Sequence, residues 1–211
     1  MIRIIGTRLN LKVKVAVSGG PDSMAILDFL IRGKRDVTAV HFDHGTEHGA
    51  EARAFVEDYC ERNNVPLIVG EANRAKLSNE SPEEYWRNIR YDFFYSILNK
   101  VNGGTIITGH TLDDQVENWI FTSLHGNPML IPYYRSPGII RPFITTTKAE
   151  LLSWCERKKV PYVTDPGNTD SKYMRSLIRK EIVPQALRVN PGLYKVIRKK
   201  ILFSLDNPSI N

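Results

Sequence analysis

Cysteine is nearly absent from this sequence: two in 211 residues, Cys60 and Cys155, far apart and with no C-x-x-C pair. That excludes a disulfide scaffold and argues against a zinc or iron–sulfur site built on local cysteine pairs, leaving a reducing compartment as the expectation. Long apolar runs are also missing. Lys and Arg interrupt every apolar stretch short of the roughly 20 residues a membrane-spanning helix needs. The first ten residues hold Arg3 and Arg8 among a few apolar side chains and do not read as a signal peptide, so a cytoplasmic protein without a membrane partner is expected. Internal repeats and low-complexity tracts are lacking as well. What remains is 42% hydrophobic and 25% charged residues, the balance of a globular domain, at a length that suits one domain better than two.

The net charge of +6 is unevenly placed. Between Ser171 and Lys200 stand Lys172, Arg175, Arg179, Lys180, Arg188, Lys195, Arg198, Lys199 and Lys200 against a single acid, Glu181, so this segment carries +8 and the remainder is close to neutral. A solvated helix face and a phosphate-binding patch for nucleic acid are both consistent with such a run.

Periodicity alternates between strand and helix. Val13–Val17, Val37–Phe42, Pro66–Val69 and Thr105–Thr108 read as strands. Helical spacing follows over Ala25–Ile31, from about Glu47 to Asn63, from Ser81 to about Leu98, and over Leu112–Ser123. Ser81-Pro82-Glu83-Glu84 supplies an N-cap, a proline at the first helical position and two acids in the first turn. His125–Gly138 reads as a loop, Ile139-Ile140 as a short strand and Thr147–Lys158 as a capped helix. Asp165–Asp170 is a turn-rich connector to a basic helix that Pro184 is expected to end, and a frayed tail is expected after Leu205. The alternation implies βαβ units and a parallel sheet, in which ligands bind at the carboxyl ends of the strands.

Three of those strand-end loops carry unusual chemistry. Ser18-Gly19-Gly20-Pro21-Asp22-Ser23 lies between a strand and a helix. Its two glycines let backbone N–H groups approach an anion, the helix offers its positive end, Ser18 and Ser23 add hydroxyls, and Asp22 can help to hold magnesium. It is neither G-x-x-x-x-G-K-[ST] nor G-x-G-x-x-G. The second loop, His41-Phe42-Asp43-His44-Gly45, is rich in histidine, but no matching ligand pair for a metal is evident elsewhere. The third is Gly109-His110-Thr111-Leu112-Asp113-Asp114-Gln115-Val116-Glu117-Asn118. On a helix Asp113 and Glu117 share a face and Asp114 points elsewhere. Three acids beside a phosphate loop suit magnesium or an ammonium group, while acids in a first helical turn also suit the helix dipole alone.

The hexapeptide Ser18–Ser23 resembles the PP-loop of the ATP-pyrophosphatase superfamily, whose members activate a substrate by adenylylation and release pyrophosphate. Within that superfamily the remaining motifs resemble the tRNA(Ile)-lysidine synthetase family. His41–Gly45 is similar to its H-x-D-H-G, with Thr46-Glu47 where the family has Leu-Arg, and Gly109–Asn118 to its G-H-x-x-D-D-Q-x-E-T. Arg87-Asn88-Ile89-Arg90-Tyr91 resembles A-R-x-x-R-Y, with Trp86 for the alanine, and Arg141-Pro142-Phe143 resembles R-P-L. Asp165–Asp170 with Tyr173, Arg175, Ile178, Arg179 and Pro184 resembles D-P-S-N-x-D-x-x-Y-x-R-N-R-I-R-x-x-x-x-P, and Asn190-Pro191 a following N-P. The resemblance runs in order from about Lys12 to Gly192. His125-Gly126-Asn127-Pro128 stands where the family has Arg-Gly-x-Gly, and the chain stops at Asn211 where relatives continue into further tRNA-binding domains.

The resemblance implies a Rossmann-like α/β fold of the adenine nucleotide alpha-hydrolase type, a parallel sheet with helices on both faces. Residues 1–168 would form the ATP-binding catalytic domain and 169–211 a basic helical extension packed on or beside it. It implies adenylylation, by ATP and Mg2+, of the wobble cytidine of a tRNA(Ile) with a CAU anticodon, followed by attack of L-lysine and release of AMP. The loop Ser18–Ser23 would take the pyrophosphate, Asp22 and Asp114 magnesium, and Asp113, Asp114 and Glu117 lysine or magnesium. Arg90 and Arg175 would hold the nucleotide or its phosphates, while His41, Asp43, His44, Gly109 and His110 would flank it. A homodimer is one way for a short chain to gain tRNA affinity. Two other readings stay open: tRNA thiolation on the same fold, whose enzymes generally need paired cysteines, and a degenerate nucleotide- or RNA-binding module.

Overall fold

A computed structural model of the chain describes residues 2–6, 9–72, 74–100, 104–164 and 174–207, apart from the side chains of Glu47 and Glu83. Six strands are β1 (Lys12–Ala16), β2 (Asp36–Asp43), β3 (Leu67–Glu71), β4 (Ile106–Ile107), β5 (Tyr134–Arg135) and β6 (Ile139–Ile140). The helices are α1 (Pro21–Arg32), α2 (Glu47–Arg62), α3 (Pro82–Lys100), α4 (Leu112–Leu124), α5 (Lys148–Lys158), α6 (Met174–Leu177), α7 (Val183–Val189) and α8 (Leu193–Asp206). One sheet contains all six strands in the order β3-β2-β1-β4-β6-β5. All neighbours are parallel except the β5–β6 pair at one edge. Because β1 is flanked by β2 on one side and β4 on the other, the chain reverses its direction of winding there. The crevice at the carboxyl ends of β1 and β4 is the topological switch point.

Period-two alternation sorts the side chains of these strands onto two faces. Val13, Val15, Val17, Val37, Ala39 and Ile107 pack with α1, α2 and α5 through residues such as Ile26, Val56 and Leu151. Val40, Ile106 and Ile139 turn the other way, onto Tyr91, Phe94, Ile97 and Leu98 of α3. Helices therefore cover both faces, as a parallel sheet buried on both sides requires. A further core joins Leu112, Val116 and Ile120 of α4 to Ile178, Val183, Leu193, Ile197 and Ile201, so the C-terminal helices share apolar contacts with the helix that follows β4. No helix among the described residues is long and apolar enough to cross a membrane.

Two expectations from the sequence are corrected. Within 125–138, expected to be loop throughout, Tyr134–Arg135 pairs antiparallel with Ile139–Ile140. Pro184 does not end its helix. It sits in the first turn of α7, where its missing N–H costs nothing, and the chain stays helical to Val189. The distortion comes before it, as a π-helical turn over Ile178–Ile182. A widened turn is a way to relieve the clash between a proline ring and the carbonyl four residues earlier. The connector Asp165–Asp170, Lys172, Tyr173 and the last four residues of the expected tail lie outside the described residues.

Candidate active site

The loop after β1 is held by its own side chains. Ser23 Oγ donates to the carbonyl of Gly20 at 3.0 Å, accepts from the N–H of Ser18 at 3.1 Å and lies 3.2 Å from Ser18 Oγ. Gly19 has φ +84, and a Cβ there would stand 2.9 Å from Val163, so glycine is required at this turn. Pro21 opens α1 and needs no N–H partner, while Gly20 caps the helix without a side chain. The first turn of α1 therefore presents its backbone donors to whatever lies above the loop.

Above it is a cavity of about 390 Å³, a size proper to small-molecule sites. Ser18, Asp22 and Ser23 line it from the first loop, His44 from the second, and Thr108, Gly109, His110 and Asp114 from the third. Arg90 of α3 and Arg175 of α6 also reach it, with Ala16, Val40, Phe42, Tyr91 and Phe94 forming an apolar wall.

Lys148 also lines the cavity and went unrecognised in the sequence. Its Nζ lies 3.1 Å from Asp114 Oδ1 and 3.7 Å from Asp22 Oδ2, one ammonium between two carboxylates. A lysine at the first position of a helix runs against the helix dipole, which favours acids there, and that is the signal that could have singled it out. Lys148 is shared unequally. Asp114 also accepts from the N–H and hydroxyl of Thr111, in a capping box. Burial raises its pKa, but Lys148, His110 and Thr111 together hold it below the usual carboxylate range. Asp22 has fewer partners. Burial first, then the nearby Asp114 and Asp113, push its carboxyl up to about 6 against the pull of Lys148. Lys148 itself is raised, its partial burial outweighed by Asp114 and Asp22.

His110 places Nδ1 3.0 Å from Thr108 Oγ1 and is kept neutral by burial and by the charges of Arg141, Arg90 and Arg87, with Asp114 opposing.

Other expected site residues stand behind the cavity wall. His41 is buried, and its Nδ1 donates to the carbonyl of Val17 at 2.8 Å, which supports the strand leading into the first loop. Burial lowers its pKa. Asp43 accepts from the N–H of Gly45 and shapes the second loop. Asp113 accepts from the backbone N–H of Lys148 at 2.7 Å and from the Tyr194 hydroxyl at 3.0 Å. Glu117, 3% exposed, is bound at both oxygens by Arg179, at 2.6 and 2.9 Å. Of the three acids on α4, only Asp114 faces the cavity. The basic run likewise divides, since Arg175 and Arg179 turn inward to the cavity wall and to Glu117.

A family model described as the PP-loop domain matches residues 3–186. The chain belongs to the PP-loop domain family. Among curated relatives, this PP-loop domain is 36% identical over 200 residues to a tRNA(Ile)-lysidine synthase of Thermotoga sp., covering 90% of the chain and 48% of that protein. It is 32% identical over 198 residues to the bifunctional protein TilS/HprT of Listeria monocytogenes, covering 87% and 31% respectively. The chain thus spans half or less of the length of these relatives. Among solved structures, the U34-tRNA thiolase NcsA from Methanococcus maripaludis matches with a TM-score of 0.76 at 17% identity, over 95% of this chain and 73% of that one. An NH3-dependent NAD synthetase from Campylobacter jejuni matches with a TM-score of 0.51 at 13% identity, over 97% and 89%. Both likenesses concern the fold.

Proposed function

We propose that the chain is a cytoplasmic, ATP-dependent tRNA(Ile)-lysidine synthetase. ATP would adenylylate the wobble cytidine of a tRNA with a CAU anticodon, and the ε-amine of L-lysine would then displace AMP. One observation carries the reading: the loop after β1 and the acidic helix after β4 open onto a single cavity at the switch point, where one ammonium is already held between Asp22 and Asp114. The relatives named tRNA(Ile)-lysidine synthase support the choice of reaction.

In this reading the N–H groups of Gly19, Asp22 and Ser23, at the loop and the start of α1, would take the leaving pyrophosphate, with Arg90 and Arg175 lining the same cavity. Fixed donors aimed at developing phosphate charge, in a site already arranged, lower the barrier mainly through electrostatics and placement. Two carboxylates converging on one cation fit magnesium, and the raised Asp22 carboxyl marks a second negative charge that Lys148 does not fully offset. Asp22 and Asp114 would hold the ion, which supplies charge neutralisation of the triphosphate. Lys148, once released by the ion, would be free to contact phosphate oxygens. His110, neutral and tied to Thr108, lines the cavity as a hydrogen-bonding side chain without adding charge. Asp114, the one acid of α4 that lines the cavity, would meet the incoming amine with an oxygen the ion leaves open. Asp113 and Glu117 position it by anchoring α5, Tyr194 and Arg179.

The thiolation reading needs an accessible thiolate. Cys60 and Cys155 are both buried, burial pushes each thiol up to about 11, and neither lines the cavity. The deciding experiment is incorporation of labelled lysine into a CAU-anticodon isoleucine tRNA transcript with and without ATP and Mg2+. The expected outcome is ATP-dependent label that disappears when the wobble cytidine is replaced. ATP cleavage without lysine incorporation would sink the lysidine assignment.

A further inference from the structure

Five arginines among the described residues pair with a carboxylate: Arg32 with Asp28, Arg53 with Glu57 and Glu71, Arg62 with Asp58, Arg74 with Glu80, and Arg179 with Glu117. Five others do not. Arg87, Arg90, Arg135, Arg141 and Arg175 gather around Tyr91, and among the described residues none of them forms an ion pair. Their mutual proximity is registered in the proton affinities of Arg87 and Arg90. Arg87 is lowered by desolvation and then by Arg135, Arg175 and Arg141, and Arg90 by burial and then Arg87.

The cluster is held in place by aromatic side chains instead of acids. Arg135 puts its guanidinium carbon 4.2 Å from the centre of the Tyr91 ring and donates Nε–H to the Tyr95 hydroxyl at 2.8 Å. Arg87 lies 5.1 Å from the same Tyr91 ring. Arg141, 1% exposed, donates to the Tyr91 hydroxyl at 3.1 Å and to the carbonyl of Pro132 at 2.7 Å, while its Nε has no partner. Like charges assembled without counter-charge cost stability. Stacked, ordered guanidiniums keep their forks available for phosphate oxygens and lose little freedom on binding.

Arg141 is buried behind Tyr91, and the other four divide by position. Arg90 and Arg175 line the cavity with Tyr91. Arg87 and Arg135 do not line it and stand beyond Tyr91, Arg87 exposed and Arg135 half-buried. The inner pair reaches the space that a nucleotide's phosphates would fill, and the outer pair, which does not reach it, is available to a second polyanion. A nucleobase entering the cavity brings its flanking phosphodiesters to the rim.

We infer that Arg87 and Arg135 form a phosphodiester-binding site at the cavity rim, gripping the backbone of the RNA strand whose base enters the cavity. This rests on the proposed reaction only for the identity of the polyanion as RNA. Such contacts are blind to sequence and fix the strand's register.

The test compares the wild-type chain with R87Q/R135Q, R87K/R135K and the single variant R135Q. One probe is a labelled anticodon stem-loop RNA titrated across a range of salt, and the other is ATP with Mg2+ by calorimetry. Circular dichroism and thermal melting check the fold. The glutamine pair should weaken RNA binding about 10- to 100-fold and reduce the slope of log K against log salt by about 1.4, two phosphates at about 0.7 each for a single strand. ATP affinity should stay within about twofold. The lysine pair should recover the slope and only part of the affinity, and a stem-loop with a changed wobble base should show the same losses. If the double variant does not fold, R135Q should show half the change in slope. Unchanged RNA binding, a wild-type chain that binds no RNA, or a parallel loss of ATP affinity each overturns the inference, the last by assigning the cluster to the nucleotide. RNA binding that depends on the two arginines without lysine transfer would instead refute the proposed reaction and leave the rim site standing.

Discussion

Glu117 and Arg179 are joined by two hydrogen bonds, of 2.6 and 2.9 Å, that tie α4 to the π-helical turn over Ile178–Ile182. Glu117 is nearly buried and Arg179 about two-fifths exposed, so the pair is only partly screened by solvent. E117Q keeps the shape and removes the charge. It should cost about 2 kcal/mol, less than a fully buried pair would, and lower lysine transfer at least about tenfold by loosening the helix that follows Arg175. Urea unfolding at neutral pH and the lysine-incorporation assay read the two effects.

K148M removes the ammonium between Asp22 and Asp114. In EDTA the variant should melt below wild type, because two neighbouring carboxylates lose their shared partner. Added Mg2+ should raise its melting temperature by more than it raises that of wild type. Equal shifts would show that the ion does not take this position. Turnover should fall about 100-fold or more.

Asp22 gives the opposite sign. Its carboxyl ordinarily titrates at 3.8 and sits at about 6 in the metal-free fold. A carboxyl raised on folding binds its proton more tightly folded than unfolded, so the fold loses stability as pH climbs from about 4 to about 6, and the whole penalty persists at neutral pH. D22N should therefore stabilise the metal-free protein by about 2 kcal/mol at pH 7.5, with the gain shrinking towards zero near pH 4. The same variant should lose lysine transfer. Paired thermal melts in EDTA across that pH range provide the check.

Cys60 and Cys155, with thiols pushed up to about 11 by burial, should resist iodoacetamide in the native protein at pH 8 and react fully in urea. Rapid native labelling of Cys155, whose Sγ contacts the carbonyl of Pro21, would mean that α5 opens from the start of α1.

The elements around the site were legible because each combined a strong period with strong punctuation. The glycines after β1, the serine before α3 with the proline that opens it, and the cap of α5 each carry their own local physics. What the sequence concealed was pairing across elements. Nothing near Asp113 announces that Tyr194 and the backbone of Lys148 will bind it, and nothing near Glu117 announces Arg179, 62 positions on. The resemblance implied that His41 flanks the nucleotide, and alternation along β2 carries its ring to the Val17 carbonyl. β5 was missed because two residues, Tyr134 and Arg135, are too few to show any period.

Adjacent acids on α4 grip the two ends of one residue: Asp113 takes the N–H of Lys148 and Asp114 its ammonium. The side chain is thus tethered at its root as well as at its tip, and the distance between those anchors works as a gauge that a slip of α5 along α4 by a single position would fail. Asp113→Asn would then disturb the charge in the cavity without altering any group that faces it, by letting the whole lever move at its fulcrum.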